Sequence, residues 1–434
     1  MLLRFKIKNF LSFYNETAFD MFPNIKREKF SNHIYNDMDV PLLKQAAIYG
    51  ANGSGKSNFI KAIAFLRNFV TQANYLKNID MDDYIFQLTP AKQHTISFVI
   101  EFFCKENYYL YSVSIENMNI SEKLSISGLN KTDDELIFER HGININSEYL
   151  QNENSAKHLL SLNPQSSLLL LNLNFPVLKD IDSIKDAYHW FSSQLEIITI
   201  NSTIQTLINL LSQHDRLLHF VNEVFTNTGI GINSLNIGNT PFEKWIADQK
   251  NATKFQNILL EGKEPDFVSA VENKRNIYNV TSQKGRKTVQ EFLFDQLGQS
   301  GYCKEMKITS QSDGTVRLLT LIPALYEAMH LNKTVLIDEI DNSIHPNLMF
   351  ELLRFYANNK SNGQLIFTTH TTKLLNQQEL VRPDEIWITE KSEGNTRMYS
   401  LNDFKLHNTL NIENGYLDGR YGGVPAIEEI SMEI

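Results

Sequence analysis

The stretch Gly50-Ala51-Asn52-Gly53-Ser54-Gly55-Lys56-Ser57 decides how this chain is read. Its glycines let the backbone curl so that successive N–H groups converge on one point, and a Lys-Ser pair closes the curl. Before it, residues 45–49 form a short apolar run; after it, 58–70 carry apolar residues at helical spacing. The order strand, loop, helix is that of a phosphate-binding loop, where a helix N-terminus adds partial positive charge. On this reading Asn52, Gly53, Ser54 and Gly55 line the phosphates, Lys56 reaches the β- and γ-phosphates, and the Ser57 hydroxyl serves Mg²⁺. The expected ligand is ATP with Mg²⁺. The alternative, a glycine turn that merely resembles the motif, does not account for the flanking strand and helix.

Thr334-Val335-Leu336-Ile337-Asp338-Glu339 is the matching second element. An apolar strand delivers Asp338 to its carboxyl end, where it can hold Mg²⁺, and Glu339 can polarise an attacking water as general base. Any buried strand ending in two acids would match, so this element takes its meaning from the first. Upstream, Gln311-Ser312-Asp313-Gly314-Thr315 opens a helix over 317–330, and Ser312 with the backbone at Gly314 suits a γ-phosphate. The phosphate loop already occupies that side of its own subunit, so a second subunit is expected to present them in trans.

Asp341-Asn342-Ser343-Ile344-His345-Pro346 then follows, a loop expected along the seam of such a dimer, with Asp341 among the nucleotide-binding residues. His345 is open between capping the next helix and catalysis. Gln364-Leu365-Ile366-Phe367-Thr368-Thr369-His370 ends a strand in a histidine that could hydrogen-bond the γ-phosphate and the attacking water. A lone histidine is more often structural; the order of the surrounding elements favours the functional reading. Gln87, in Phe86-Gln87-Leu88, is either a Mg²⁺ contact or an ordinary loop glutamine.

Around these motifs, 2–22 alternates apolar and polar residues as half-buried antiparallel strands do, and 95–103 with 108–115 reads as a hairpin extending that sheet. Between 120 and 290 the pattern reads as helical, for example over 184–196, 204–226 and 240–260, with no sustained heptad seam. Alternating strands and helices return after 290, with two more strands over 384–401. The expected fold is therefore α/β, in three parts: an N-terminal lobe at 1–119 with the phosphate loop and antiparallel strands, a mainly helical insertion at 120–290, and a C-terminal lobe at 291–434.

Hydrophobic residues make up 42% of the 434 and charged residues 21%, the balance of a globular chain. No apolar run approaches the roughly 20 residues that span a bilayer, and the start lacks an apolar signal core, so a cytoplasmic protein without membrane partners is expected. The two cysteines, Cys104 and Cys303, form no CxxC pair and imply neither a disulfide framework nor a cysteine metal site. A net charge of −9 argues against sequence-blind coating of nucleic acid. Lys274, Arg275, Lys284, Arg286 and Lys287 form a local basic patch, either a solvated loop face or a nucleic-acid contact.

Taken together, NFLSF near the start, GANGSGKSN, WFSSQLEIITI, NTGIGI, SDGTVRLL, LIDEIDNSIHP, LIFTTH, DEIWITEK and GYLDGRYGGVP make the chain resemble the stand-alone bacterial ABC-type ATPases that are akin to SMC, RecF and OLD-family heads. The resemblance covers most of the chain and implies an ABC/SMC-type head acting as a homodimer or higher homo-oligomer. The ATPase subunits of the PARIS and Septu anti-phage systems are similar. That likeness implies control of a separate nuclease or toxin effector in response to a phage component. The signature reads SDG where transporter ATPases usually carry SGG, which weakens the likeness to transporters.

Competing readings are a RecF- or SMC-like ATPase that binds duplex DNA directly, a transporter subunit, and a scaffold that does not hydrolyse ATP. Acidic charge and the lack of a coiled coil count against the first, the large insertion against the second, and Glu339 against the third. The stretch after His370 is too short for the nuclease domain that OLD proteins append, so any nuclease is expected to be another polypeptide.

Overall fold

Short apolar runs that lie far apart in the sequence become neighbouring strands of one sheet. In the computed structural model, Leu195–Ile198, Thr334–Ile337, Gln364–Thr368, Gln45–Tyr49 and Ile386–Ser392 lie side by side in parallel, and Asn395–Ser400 closes the sheet as an antiparallel edge. The three central strands are buried at every position, as strands covered on both faces must be. Because they run in parallel, their carboxyl ends emerge together and deliver Gly50, Asp338 and Thr369 to one edge. The structure describes residues 1–90, 93–129, 131–179, 181–202, 204, 207–247, 267–271, 277–283, 286–376, 380–406 and 411–425.

The N-terminal alternation forms a seven-stranded antiparallel sheet. Its order is Asn144–Asn146, Glu135–His141, Asn119–Ile126, Asn107–Glu116, Thr95–Cys104, Leu2–Lys8 and Thr17–Asp20. Helix Lys56–Thr71 turns Phe59, Ile63, Leu66 and Val70 into the core, and Phe65 meets Phe10 edge-on at 5.3 Å. Aromatic contacts of this kind add about 0.5–1.5 kcal/mol each beyond area burial. Gln364 joins the two sheets: its carboxamide accepts from Leu2 N (2.6 Å) and donates to Leu2 O (3.0 Å).

The chain divides into two compact units at places other than the expected 119/120 and 290/291. One comprises Met1–Thr199, Glu327–Asp341 and Met349–Ile434; the other Ile200–Tyr326 and Asn342–Leu348. Residues 120–199 thus belong with the N-terminal lobe, and the stretch 120–290 carries strands as well as helices. Where 184–196 reads as helix, Asp182–His189 ends in a widened turn at Trp190–Gln194 and Leu195–Ile198 is a strand. The stretch 204–226 becomes helices Leu207–Gln213 and Asp215–Asn227. Of 240–260, Ile232–Pro241 is strand up to its end, Phe242–Ala247 is helix, and 248–260 lies outside the described residues.

The second unit is built on an antiparallel sheet. Arg286–Leu297 pairs with Ile232–Pro241 along one side and with Ile277–Gln283 and Cys303–Lys307 along the other, and Phe267–Val271 continues from Ile277–Gln283. Helix Asp215–Asn227 buries Leu217, Val221 and Phe225, the last edge-on to Phe294. Of the basic patch, Lys274, Arg275 and Lys284 lie outside the described residues, while Arg286 and Lys287 sit on a strand. The fold class is the expected α/β one, a mainly parallel sheet whose phosphate loop opens a helix, with an antiparallel N-terminal sheet. Among the described residues no helix is long and apolar enough to cross a membrane.

Candidate functional site

The phosphate loop leaves strand Gln45–Tyr49 and opens helix Lys56–Thr71, as its sequence requires. Gly55 sits at φ +113°, and a Cβ there would lie 2.4 Å from Thr396 Oγ1, so only glycine fits. Buried hydroxyls from distant segments hold the curl. Ser54 Oγ donates to Thr389 Oγ1 (2.6 Å), which donates to Tyr49 O (3.0 Å). Thr396 Oγ1 donates to Ser54 O (2.8 Å) and lies 2.8 Å from Ser12 Oγ, which accepts from Asn58 Nδ2. Asn52 and Gly53 are exposed at the tip.

Lys56 is only 6% exposed, and its ammonium donates to Gly50 O (2.7 Å) and Ala51 O (3.1 Å), inside the curl. Burial lowers its pKa to about 8, against the opposing pull of Asp338, Glu339 and Asp341. Ser57 Oγ donates to Asp338 Oδ1 (3.1 Å), and the same oxygen accepts from Thr368 Oγ1 (2.7 Å). Thr368 in turn accepts the Glu339 N–H (2.7 Å). One buried hydroxyl therefore sets both the Asp338 carboxylate and the backbone of the candidate base. Glu339 itself stands at φ +50°, the left-handed region, which costs a non-glycine residue about 1–2 kcal/mol.

The Asp341 carboxylate reaches the last strand: its Oδ2 accepts from His370 N (3.0 Å) and Thr371 Oγ1 (2.9 Å), while Oδ1 is buried without a hydrogen-bond partner. Partial burial and then the Lys56 charge lower the His370 pKa, opposed by Asp341, Glu339 and Asp338, so at neutral pH the imidazole is uncharged. Lys56, Ser57, Asp338, Glu339, Asp341 and His370 thus come together in the first unit.

Ser312 and Gly314 belong to the second unit, as do Asn342–Leu348. Ser312 Oγ caps its helix by accepting from Thr315 N (3.1 Å). A Cβ on Gly314 would lie 2.7 Å from Ser343 O, so the signature loop rests on the backbone of the loop that follows Glu339. His345 takes the capping role: its Nδ1 accepts from Asn347 N (3.3 Å) at the start of helix Pro346–Asn358. Gln87 is exposed, and the two hydrogen bonds described for its amide go to Asp82 O (2.6 Å) and Ile85 O (3.2 Å), within its own loop.

The residues present fit Mg-ATP. The loop is packed so closely on Thr389 and Thr396 that Gly50 and Gly55 admit no Cβ, Ser57 and Asp338 pair the oxygen donors that Mg²⁺ prefers, and the buried Lys56 ammonium faces into the curl. Sequence reasoning missed Ser12, Thr368, Thr389 and Thr396. The first three lie inside NFLSF, LIFTTH and DEIWITEK, stretches that carried the resemblance without assigning a role to these hydroxyls.

The family described as "AAA domain, putative AbiEii toxin, Type IV TA system" matches residues 46–376. No curated protein matches the chain. Among solved structures it is similar to an Smc head bound to the C-winged helix domain of ScpA, at 14% identity over 92% of this chain and 97% of that one, TM-score 0.47. It is also similar to the SMC head domain from Thermotoga maritima, at 13% identity over 93% and 99%, TM-score 0.40. A third is an Smc head domain with an extended coiled coil, bound to the C-terminal domain of ScpA derived from Pyrococcus furiosus, at 13% over 92% and 96%, TM-score 0.42. Such distant similarities add nothing to the strand order and loop geometry, which define the fold by themselves.

Proposed function

This chain belongs to the AAA-domain family described as putative AbiEii toxin of Type IV TA systems, and we propose that it binds and hydrolyses Mg-ATP, two copies closing on each nucleotide. The observation that carries the reading is Asp338 Oδ1, held between Ser57 Oγ at 3.1 Å and Thr368 Oγ1 at 2.7 Å, with the Glu339 N–H on the same threonine. The loop N–H groups and Lys56 bind the phosphates. Ser57 and Asp338 would hold Mg²⁺, which supplies neutralisation of the β- and γ-oxygens. Glu339 accepts a proton from the water that attacks the γ-phosphorus as the bond to the bridging oxygen breaks, and neutral His370 hydrogen-bonds the transferring group. Ser312 and the backbone at Gly314 of a second copy complete the γ-phosphate shell.

Mixing is the direct test. A Lys56→Ala chain and a Ser312→Arg chain, each inactive alone, should together recover about a quarter of the parent ATPase rate, since half of randomly formed dimers carry one intact pocket of two. Mixtures that assemble normally yet stay inactive overturn the shared site.

The finer role we propose is anti-phage defence: a nucleotide-controlled oligomer that restrains or licenses a separate nuclease or toxin effector until a phage component is sensed. The toxin–antitoxin description of the family and the motif likeness to the PARIS and Septu ATPases support this. Co-expression with the neighbouring reading frame should protect cells from phage, and Glu339→Gln should remove the protection. Protection unchanged by Glu339→Gln refutes nucleotide control of defence.

A further inference from the structure

The closing stretch Gly415-Tyr416-Leu417-Asp418-Gly419-Arg420-Tyr421-Gly422-Gly423-Val424-Pro425 lies outside the nucleotide-binding motifs, yet it meets their framework within the first unit at two points. It begins on the short helix Ile412–Leu417, capped by Asn411 Oδ1, which accepts from Asn414 N (2.9 Å). The Tyr416 hydroxyl donates to Gly423 O (3.0 Å) and so ties the helix to the chain that returns from it. Gly423 stands at φ +68°, and a Cβ there would lie 2.5 Å from Ile388 Cγ2, so the returning chain lies flat on strand Ile386–Ser392.

The first point is behind the phosphate loop. The Tyr416 ring meets the ring of Tyr49, the residue before Gly50, edge-on at 5.9 Å. The Tyr49 hydroxyl is buried without a hydrogen-bond partner among the described residues, and burial, then Asp341, Tyr416 and Glu413, raise its pKa well above the ordinary value. The second point is the turn after His370. Glu413 Oε1 accepts from Thr372 Oγ1 (2.9 Å) and Oε2 accepts from Asn376 Nδ2, so the carboxylate closes both ends of the short turn Thr372–Asn376. Immediately before that turn, Asp341 Oδ2 accepts from His370 N and Thr371 Oγ1. Two carboxylates therefore hold residues 370–376, Asp341 from the acid-bearing strand and Glu413 from the closing helix. Ile412 and Tyr416, on either side of Glu413, are buried and anchor it.

We propose that Glu413 is a positioning residue for His370: by fixing the turn Thr372–Asn376 it sets where the imidazole stands before nucleotide arrives. His370 is exposed beyond the end of its strand, where one tether through its own N–H leaves the loop free to pivot; a second carboxylate on the far side of the turn removes that freedom. Catalysis is sensitive to such placement, since a displacement of about 1 Å in a reacting group can cost on the order of a hundredfold in rate. The kinetic consequence rests on the ATPase reading; the tether itself does not.

Two measurements on the full chain test it. In hydrogen exchange without nucleotide, Glu413→Ala should speed exchange over residues 369–376 by about tenfold or more and leave residues 45–57 unchanged. In ATP hydrolysis it should lower kcat about tenfold with the ATP Kd within about twofold of the parent, and in a His370→Ala background it should change kcat by less than about twofold. Should Glu413→Ala fail to fold, Thr372→Val removes one donor to the carboxylate and should move both readouts in the same direction. Exchange unmoved in both variants, exchange raised across the whole first unit, or an equal loss of kcat with and without His370 overturns the proposal. A parent chain without ATPase activity, or His370→Ala turning over at the parent rate, instead fails the ATPase reading or the place of His370 in it, and the exchange measurement then decides the tether alone.

Discussion

Two glycine loops in this molecule each open a helix, yet they are supported in different ways. The phosphate loop is walled in by hydroxyls from three other segments, Ser12, Thr389 and Thr396, and Gly55 fits against the Thr396 side chain at a φ closed to other residues. In the signature loop Ser312 caps its helix, and Gly314 lies against Ser343 O. A local motif is thus a request for a conformation; what fixes it comes from elsewhere in the chain. The first loop is held by the sheet framework of its unit, the second rests on the Ser343 backbone within its own unit.

If both loops serve one reaction, removing the base should silence them without disturbing either. Glu339→Gln should lower kcat about 10²- to 10⁴-fold while the ATP Kd and the melting temperature stay near parent values. Parent-rate hydrolysis in that variant removes Glu339 from the chemistry. Differential scanning calorimetry then probes the contrast in support. Gly55→Ala should cost about 3 kcal/mol or more through combined φ strain and overlap with Thr396, whereas Gly314→Ala, which meets the Ser343 backbone oxygen at 2.7 Å but carries no left-handed φ strain, should cost less, about 1–2 kcal/mol. Equal costs would erase the distinction.

Thr396→Val removes the donor to Ser54 O and should cost about 1–2 kcal/mol; Thr315→Val, beside Ser312 on the signature loop, should cost less than about 0.5 kcal/mol. Chemical denaturation of the two variants reads the difference. The smallest effect is a proton. Lys56, lowered to about 8 from its ordinary 10.5, is largely neutral at pH 9 until phosphate restores its charge. ATP binding at pH 9 should take up about one proton and at pH 7 almost none, seen calorimetrically as dependence on buffer ionisation heat. The sign for stability agrees: the unfolded chain keeps this proton up to its higher pKa, so the contribution of Lys56 to folding improves as pH rises from about 8 towards 10.5. Identical uptake at both pH values would rule out Lys56 as the phosphate ligand.

What could be read from sequence was whatever the backbone must do locally. Gly55, Lys56 and Ser57 announce a curl, a charge and a hydroxyl within one turn; Asp338, Glu339 and His370 announce themselves by ending apolar runs. Thr368 did not, since its role exists only because Thr334–Ile337 and Gln364–Thr368 become neighbours. Ile232–Pro241 was invisible for a related reason: with three Asn and only two of its ten residues buried, it is a strand because Arg286–Leu297 pairs along it. Within Arg286–Leu297 the buried Val289, Glu291, Phe292 and Phe294 break strict alternation, so the strand is plain only once the pairing is known. His345 shows the opposite case, in which the capping alternative was the one the fold took.

The left-handed turn at Glu339 carries one more consequence. Judged by conformational preference alone, that position calls for glycine, which would sit there free of the steric toll. Glu339→Gly should therefore melt higher than the parent while turning over nothing, so that thermal endurance and chemistry part company at a single codon. A chain shaped only to stay folded would have no reason to keep an acid in that turn.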